Sequence, residues 1–139
     1  MNIISAERTD LDKIVQLDSE VIGNTSRKDT IETAIVQGRC FIVKESDDVV
    51  GFSIYDTNFF ECTFITLIIV SPSKRRKGYG SLLLNEMVRT SPTQKVFSST
   101  NRSNKAMHSV FESNGFVKSG IVENLDDGDP EIIYFKLKP

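Results

Sequence analysis

The chain has 139 residues, which suits one domain with a single core and is too short for two independent cores. Hydrophobic residues make up 39% and charged residues 26% of the sequence, which excludes a disordered or collagen-like chain. The formal net charge of -2 excludes a broad basic surface for nucleic acid or anionic lipid. We therefore predict one globular domain, residues 1–139, with no nucleic-acid partner.

The two cysteines indicate the compartment. Cys40 and Cys62 lie in apolar runs, with neither CxxC spacing nor a paired histidine, which favours buried free thiols over a disulfide or a metal site. The N-terminus contains acidic residues and no signal-peptide-like stretch, and the longest apolar run, 67–70, is too short to span a membrane. The sequence predicts a soluble cytoplasmic protein with no metal and no membrane association.

The sequence pattern of the first half of the chain predicts short strands and two helices. Thr9 or Asp10 can cap a helix with Leu11 and Ile14 on its apolar face, and this helix stops at Gly23. A polar turn predicts a hairpin, and Pro72 ends the third long strand because proline cannot donate a strand hydrogen bond. The expected elements here are a strand at 2–6, a helix at 28–37 ending at Gly38, and strands at 39–44, 49–55 and, after a turn at Thr57-Asn58, 61–70.

The second half alternates strands and helices. Gly115 takes the expected left-handed stop position after a helix with Met107, Val110 and Phe111 on one face. The expected elements are helices at 79–89, with Leu82, Leu83, Met87 and Val88 buried, and at 104–114, and strands at 96–100, 116–122 and 132–137. Antiparallel hairpins combined with a strand-helix-strand half predict an α/β fold, a mixed central sheet of about six to seven strands flanked by about four helices.

One segment combines features of a phosphate site. Four adjacent basic residues, Lys74-Arg75-Arg76-Lys77, stand between an apolar strand and a helix in a chain that is otherwise acidic. A helix N-terminus offers unpaired N–H groups and partial positive charge, and Gly78 and Gly80 let backbone approach phosphate oxygens. Arg75, Lys77 and the Ser81 hydroxyl add charge and a donor. Taken alone, the basic run would also fit a solvated loop or a targeting patch.

Two nucleotide motifs with similar composition do not match this segment. The dinucleotide fingerprint requires a third glycine, where this chain has Leu83, and an acidic residue that closes the next strand, whereas 96–100 contains none. The P-loop requires Gly-Lys-Ser/Thr, whereas Gly78 is followed by Tyr79. Both nucleotide-binding folds are excluded.

Two blocks of sequence resemble a known family. The segment from Val70-Ser71-Pro72 to Gly78-Tyr79-Gly80 resembles motif A of the GNAT superfamily of acyl-CoA-dependent N-acetyltransferases, Gln/Arg-x-x-Gly-x-Gly/Ala. Asn104-Lys105-Ala106 through Gly115-Phe116 is similar to the family's motif B, Asn-x-x-Ala followed by Tyr-x-x-x-Gly-Phe. The resemblance implies a GNAT-like fold, acetyl-CoA as co-substrate and acetyl transfer to a primary amine.

The resemblance also implies which residues bind the cofactor. Pantetheine would bond to the strand backbone, the pyrophosphate would take N–H groups of the basic loop, and Asn104 would hydrogen-bond pantetheine. Alternatively, Asn104 only caps the N-terminus of the helix that follows it. The residues implied are Ile68, Ile69, Val70, Arg75, Arg76, Lys77, Gly78, Tyr79, Gly80, Ser81 and Asn104.

Catalysis in this family is direct attack of a neutral amine on the thioester in a ternary complex. The motif B tyrosine, which often protonates the leaving thiolate, is replaced here by Phe111. Tyr134 could substitute as the acid, and Glu61 or Glu20 could act as the base through water. His108, the only histidine, is expected to be exposed, on the helix face opposite Met107 and Phe111.

Two classes of function remain open from the sequence. The first is an acetyl-CoA-dependent N-acetyltransferase, with a small-molecule or peptide amine as acceptor. The acidic stretch, Glu123, Asp126, Asp127, Asp129 and Glu131, lies in a connection that borders the acceptor cleft in relatives, and it could attract a cation or be a solvated turn. The alternative is a catalytically weak or inactive acyl-CoA-binding module, suggested by Phe111. The acceptor and a homodimeric state stay open.

Overall fold

The computed structural model describes residues 3–139. The predicted element order is confirmed, with most boundaries within two residues; Asn2, which begins the first predicted strand, lies outside the described residues. The helices are α1 (Leu11–Ile22), α2 (Lys28–Val36), α3 (Tyr79–Arg89) and α4 (Lys105–Ser113). The strands are β1 (Ile3–Ser5), β2 (Cys40–Glu45), β3 (Asp48–Phe59), β4 (Cys62–Val70), β5 (Lys95–Asn101), β6 (Val117–Val122) and β7 (Glu131–Leu137).

The strands form one mixed sheet in the order β1-β2-β3-β4-β5-β7-β6. β1 and β3 flank β2 in antiparallel register, and β7 pairs antiparallel with both β5 and β6. The parallel pair is β4 with β5, where Thr63–Ile65 face Val96–Ser98. The α/β class with seven strands and four helices is confirmed for the described residues.

The described residues group into two compact units, and the single-domain expectation stays a prediction. The first unit contains the chain up to Tyr55 together with Leu67–Met87. Its main core joins both N-terminal helices to strand residues, and its fully buried members include Ile14, Ile31, Ala34, Ile42 and Phe52. Burial of each isoleucine or phenylalanine side chain in this core stabilises the fold by about 1.5–3 kcal/mol.

The second unit contains Asp56–Thr66 and Val88–Pro139. A chain of phenylalanine rings crosses it: Phe59 contacts Phe64 and Phe97 with centroids about 5 Å apart, and Phe97 contacts Phe135 at 5.2 Å. Such tilted ring pairs add about 0.5–1.5 kcal/mol each beyond the area they bury.

The turn before β4 is the main boundary that the sequence predicted wrongly. β3 continues through Thr57-Asn58 to Phe59, and the turn is Phe60-Glu61, whose φ values are 51° and 64°. Two successive residues with positive φ are typical of the two-residue turn that matches strand twist. The strand continues because Phe59 packs on Phe64 and Phe97, a contact that a local turn pattern does not show.

The buried face of α3 also differs from the prediction by one residue. Leu83, Met87 and Val88 are buried as expected, but Leu82 is 39% exposed and Leu84 is fully buried. Among the described residues, no helix is long and apolar enough to cross a membrane.

Candidate functional site

The basic loop, residues 71–78, connects β4 to α3 in the first unit. Ser71 N–H donates to the carbonyl of Val50 at 2.8 Å, which fixes the start of the loop beside β3. A 3-10 turn follows at Pro72–Lys74, and Leu82 N–H donates to the Gly78 carbonyl at 3.0 Å in the first helical bond of α3. The loop therefore ends at a helix N-terminus, where N–H groups have no acceptor within the helix.

The backbone of the loop has a conformation that is common in anion-binding turns. Arg76 and Gly78 have positive φ, 67° and 83°. Left-handed residues inside a turn direct neighbouring N–H groups to one side, which makes an anion-binding concavity beside the helix dipole. A Cβ placed on Gly78 would meet no atom within 4 Å, so the space beside it is open. These features fit the pyrophosphate of coenzyme A.

The end of β4 borders this loop. Leu67 and Ile69 pack against the main core, and Ile68 and Val70 pack against a smaller cluster that contains Tyr79 and Leu83. All four are only partly buried, although they form a continuous apolar run in the sequence.

The four basic side chains of the loop divide into two pairs. Lys74 Nζ contacts Glu45 Oε1 at 2.9 Å, and Lys77 Nζ lies 3.7 Å from Oε2 of the same carboxylate. Arg75 and Arg76 are exposed and have no carboxylate partner among residues 3–139. The arginines are thus the cations that the structure leaves available in this loop.

Glu45 is a residue of this region that the sequence reasoning missed. Its carboxylate also accepts a hydrogen bond from the Tyr79 hydroxyl. That bond and the one from Lys74 lower the pKa of Glu45 to about 2, and the bond to Glu45 raises the pKa of Tyr79. Glu45 lies 29 residues before Lys74, so no local motif indicates the contact.

Tyr79 lies at the junction of loop and helix. Its ring is 4% exposed and packs with Val43, Val50 and Leu83. Gly80 and Ser81 follow in the first turn of α3 and are half-buried. Apart from Glu20 in α1, the remaining predicted site residues belong to the second unit.

Asn104 is the N-cap of α4. Its side-chain oxygen accepts a hydrogen bond from Met107 N–H at 3.2 Å. The N-cap explanation is therefore confirmed, and the contact with pantetheine stays a prediction.

Tyr134, the predicted substitute acid, lies fully buried on β7. Its ring stacks on Phe111 with centroids 4.6 Å apart and an interplanar angle of 23°. The hydroxyl donates to Glu112 Oε2 at 3.0 Å and lies 2.6 Å from His108 Nδ1. Burial and the bond to Glu112 raise the pKa of Tyr134 to about 12.

The expectation that His108 is exposed is wrong. His108 is half-buried, and its Nε2 lies 3.1 Å from each of the carbonyls of Asn101 and Arg102. Residues three and four apart share a helix face, so His108 stands beside Phe111 and Glu112 rather than opposite them. The side chains of His108 and Glu112 line a cleft of about 610 Å³ with Arg102, Lys118, Gly120, Ile121 and Ile132.

The two base candidates are both exposed. Glu61 lies in the turn between β3 and β4, and Glu20 lies in α1. Their roles as bases stay predictions.

A second cleft of the second unit, of about 420 Å³, combines carboxylates with apolar side chains. We call it the acidic cleft; its lining includes Asp56, Asp126 and Glu131 beside Phe59, Phe64 and Leu125. Glu131 accepts from the Ser99 hydroxyl at 2.7 Å and Asp126 from Asn101 Nδ2 at 2.9 Å. Among the described residues, none of the three carboxylates pairs with lysine, arginine or histidine.

The predicted acidic stretch is thus divided by the structure. Asp126 and Glu131 line the acidic cleft. Asp129 instead accepts from the Ser103 hydroxyl at 2.6 Å and from its N–H at 2.9 Å, and these bonds lower the pKa of Asp129.

The cysteines are free, as predicted. Cys40 is buried, and burial raises its pKa to about 12, whereas Cys62 is only partly buried. No group of three or more histidine, cysteine or acidic side chains in residues 3–139 could hold a metal ion.

Comparison with known proteins agrees with the two motif blocks. The model of the acetyltransferase (GNAT) family matches residues 9–116. A crystal structure of a GNAT family acetyltransferase from Bacillus cereus is 59% identical, with a TM-score of 0.97 over 99% of this chain and 97% of that one. The chain belongs to the GNAT acetyltransferase family.

More distant structures share the fold. An N-acetyltransferase from Staphylococcus aureus, 20% identical, superimposes with a TM-score of 0.82 over 99% of this chain and 98% of that one. A Salmonella typhimurium protein solved with its cofactor acetyl-CoA is 16% identical, with a TM-score of 0.81 over 99% of this chain and 94% of that one. The comparison with curated proteins gives no match.

Proposed function

We propose that this GNAT family member transfers an acetyl group from acetyl-CoA to a primary amine by direct attack in a ternary complex. The observation that carries the proposal is the basic loop: two left-handed residues and a helix N-terminus form an anion cradle directly after β4. Family membership makes coenzyme A the expected ligand of that cradle.

The residues proposed to hold the cofactor belong to three groups. Backbone N–H groups of residues 75–80 take the pyrophosphate, with the Arg75 and Arg76 guanidinium groups and the Ser81 hydroxyl as further donors. Backbone groups of Ile68, Ile69 and Val70 bond to pantetheine. The Asn104 amide donates to pantetheine through Nδ2 while Oδ1 caps α4.

Bound acetyl-CoA supplies an activated acetyl thioester, and the chain's own residues orient and polarise the reactants. A backbone N–H of Ile68 or Val70 would donate to the thioester carbonyl as negative charge develops there. Holding the amine and thioester together removes most of the entropic barrier of a bimolecular reaction.

Proton transfer is the step with the least support from side chains. Phe111 has no proton to donate, and the Tyr134 hydroxyl, whose pKa is raised to about 12, already donates to Glu112. A positioned acid contributes about 10²- to 10⁴-fold to rate, so an enzyme without one is slower but active. The roles of Tyr134 as acid and Glu61 as base stay predictions.

The acidic cleft supports a cationic acceptor. Its three carboxylates have no basic partner among the described residues, and Phe59 and Phe64 offer ring surfaces to a cation or its apolar substituent. We therefore propose an acceptor that carries a protonated amine next to an apolar group, whether a small molecule or a peptide.

The proposal is tested by mixing the protein with acetyl-CoA and a panel of primary amines: a polyamine, an arylalkylamine and a peptide with a free N-terminus. Mass spectrometry of the amines avoids interference from the protein's own thiols. Acetylation that depends on protein and acetyl-CoA together supports the transferase.

The absence of a tyrosine at position 111 favours the second candidate, an acyl-CoA-binding module with little turnover. Tight binding of coenzyme A with no acetylated product from any amine of the panel would favour that module.

A further inference from the structure

Glu45 brings negative charge into a loop built for anions. It ends β2, and its side chain is 29% exposed. Two hydrogen-bond donors reach it, Lys74 Nζ at 2.9 Å and the Tyr79 hydroxyl, and Lys77 Nζ forms an ion pair with it at 3.7 Å. A carboxylate here repels a phosphate and neutralises nearby lysines, so charge alone would make it unfavourable for anion binding.

The backbone of the loop explains why such a contact is useful. Arg76 is a non-glycine residue with φ of 67°, a conformation that L-amino acids adopt only when their surroundings hold them there. The loop has few apolar anchors of its own, because Arg75, Arg76, Lys77 and Gly78 are all exposed. The polar contacts that reach the loop from Glu45 are therefore candidates for stabilising its shape.

Tyr79 connects Glu45 to the rest of the site. The ring is buried with Val43, Val50 and Leu83, and Ile68 and Val70 pack against the same cluster. Its hydroxyl donates to Glu45. One carboxylate thus ties the middle of the basic loop, through Lys74, to the first residue of α3, Tyr79.

We propose that Glu45 is a positioning residue that holds the basic loop in its anion-binding shape before coenzyme A arrives. Lys74 and Lys77 act as its partners, and Arg75 and Arg76 remain to contact phosphate. The gain is pre-organisation, because the ordering cost of the loop is met in the free protein. This inference rests on the proposed binding of coenzyme A.

The test compares Glu45→Ala, Glu45→Gln and the control Asp48→Ala with the wild type. Glutamine keeps an acceptor for Tyr79 and Lys74 without the charge, and Asp48 is an exposed acid paired with Glu45 across the same hairpin. The first readout is the rate at which trypsin cuts the free protein after residues 74–77; the second is the Kd of coenzyme A by calorimetry. Thermal unfolding confirms that each variant is folded.

For Glu45→Ala we expect cleavage of the loop to be about tenfold faster and the Kd to be about tenfold higher, since the hydrogen bonds from Lys74 and Tyr79 are both lost. Glu45→Gln should restore most of both properties, and Asp48→Ala should match the wild type. If Glu45→Ala binds coenzyme A as tightly as the wild type or more tightly, the inference is wrong. Equal cleavage rates would contradict it as well.

The two proposals fail in distinguishable ways. If the wild-type protein binds no coenzyme A, the proposed function is wrong, while the trypsin cleavage rates still decide whether Glu45 holds the loop. If the wild type and all the variants bind coenzyme A equally well, only the proposed role of Glu45 is wrong.

Discussion

Tyr79 in the first unit and Tyr134 in the second are placed in similar ways. Each ring is buried, each hydroxyl donates to a glutamate, and each pKa is raised. The causes differ in order: for Tyr79 the bond to Glu45 contributes most, whereas for Tyr134 burial contributes most. The pKa of the first tyrosine is thus raised mainly by a polar partner, and that of the second mainly by burial.

The two tyrosines also differ in what surrounds their glutamate partners. Glu45 links Tyr79 to two lysines of an exposed loop, where a ligand can compete for the same charges. Tyr134 stacks on Phe111, the position where the family motif has its tyrosine. Similar side-chain pairs therefore have different consequences, which depend on whether the glutamate is linked to an exposed loop or to a packed helix.

The largest effect should come from Tyr134→Ala. Loss of a fully buried aromatic side chain that stacks on Phe111 should lower the free energy of unfolding by about 3–5 kcal/mol. Urea denaturation measures this change, and Phe60→Ala, at a side chain that is 86% exposed, is the matched aromatic control with little effect. A loss no larger than that of Phe60→Ala would contradict the packing of Tyr134 in the core.

Removing only the hydroxyl groups separates the two regions. Tyr134→Phe should lower stability by about 1–2 kcal/mol and leave the Kd of coenzyme A unchanged, because it removes bonds to Glu112 and His108. Tyr79→Phe should raise that Kd about five- to tenfold, since Glu45 loses its bond to the helix start. Calorimetry and denaturation together check both; a reversed pattern would exchange the roles of the two tyrosines.

The same comparison shows what the sequence could predict. The order of strands and helices can be predicted from the spacing of hydrophobic residues along the chain. The end of α4 can be predicted from Gly115, whose φ is 83°. Each of the two motif blocks, including the basic loop, consists of residues close together in the sequence, so both can be recognised from the sequence alone. The Glu45 contact and the Tyr134–His108 pair join residues 26 to 34 positions apart, and local patterns carry no information about such pairs.

A smaller effect tests the acidic cleft. Glu131→Gln and Asp126→Asn should each raise the KM of a cationic amine about two- to fivefold with kcat almost unchanged, because each removes one attraction in a solvated site. Asp127→Asn is the control, as this exposed acid of the same turn does not line the cleft. If Glu131→Gln and Asp126→Asn have the same KM as the wild type and the Asp127→Asn control, the cleft does not attract the acceptor.

The smallest effect is a pH dependence of stability in the first unit. The pKa of Glu45 is held at about 2, below its ordinary value of 4.5, so its contribution is present above pH 4.5 and is lost as the pH falls toward 2. The melting temperature of Glu45→Gln should therefore change less than that of the wild type across this interval. Parallel curves for the two proteins would contradict the pairing.

The most direct test of the account is a calorimetric titration of the wild type and Arg75→Ala with acetyl-CoA at low and high salt. We predict binding that weakens with salt, and a Kd about ten- to a hundredfold higher in the variant, because a phosphate loses a charge-assisted donor. The control Lys95→Ala removes a positive charge on β5, outside the loop, and should bind like the wild type. Binding that is insensitive to Arg75→Ala, or no binding at all, would contradict the assignment of the basic loop as the coenzyme A cradle.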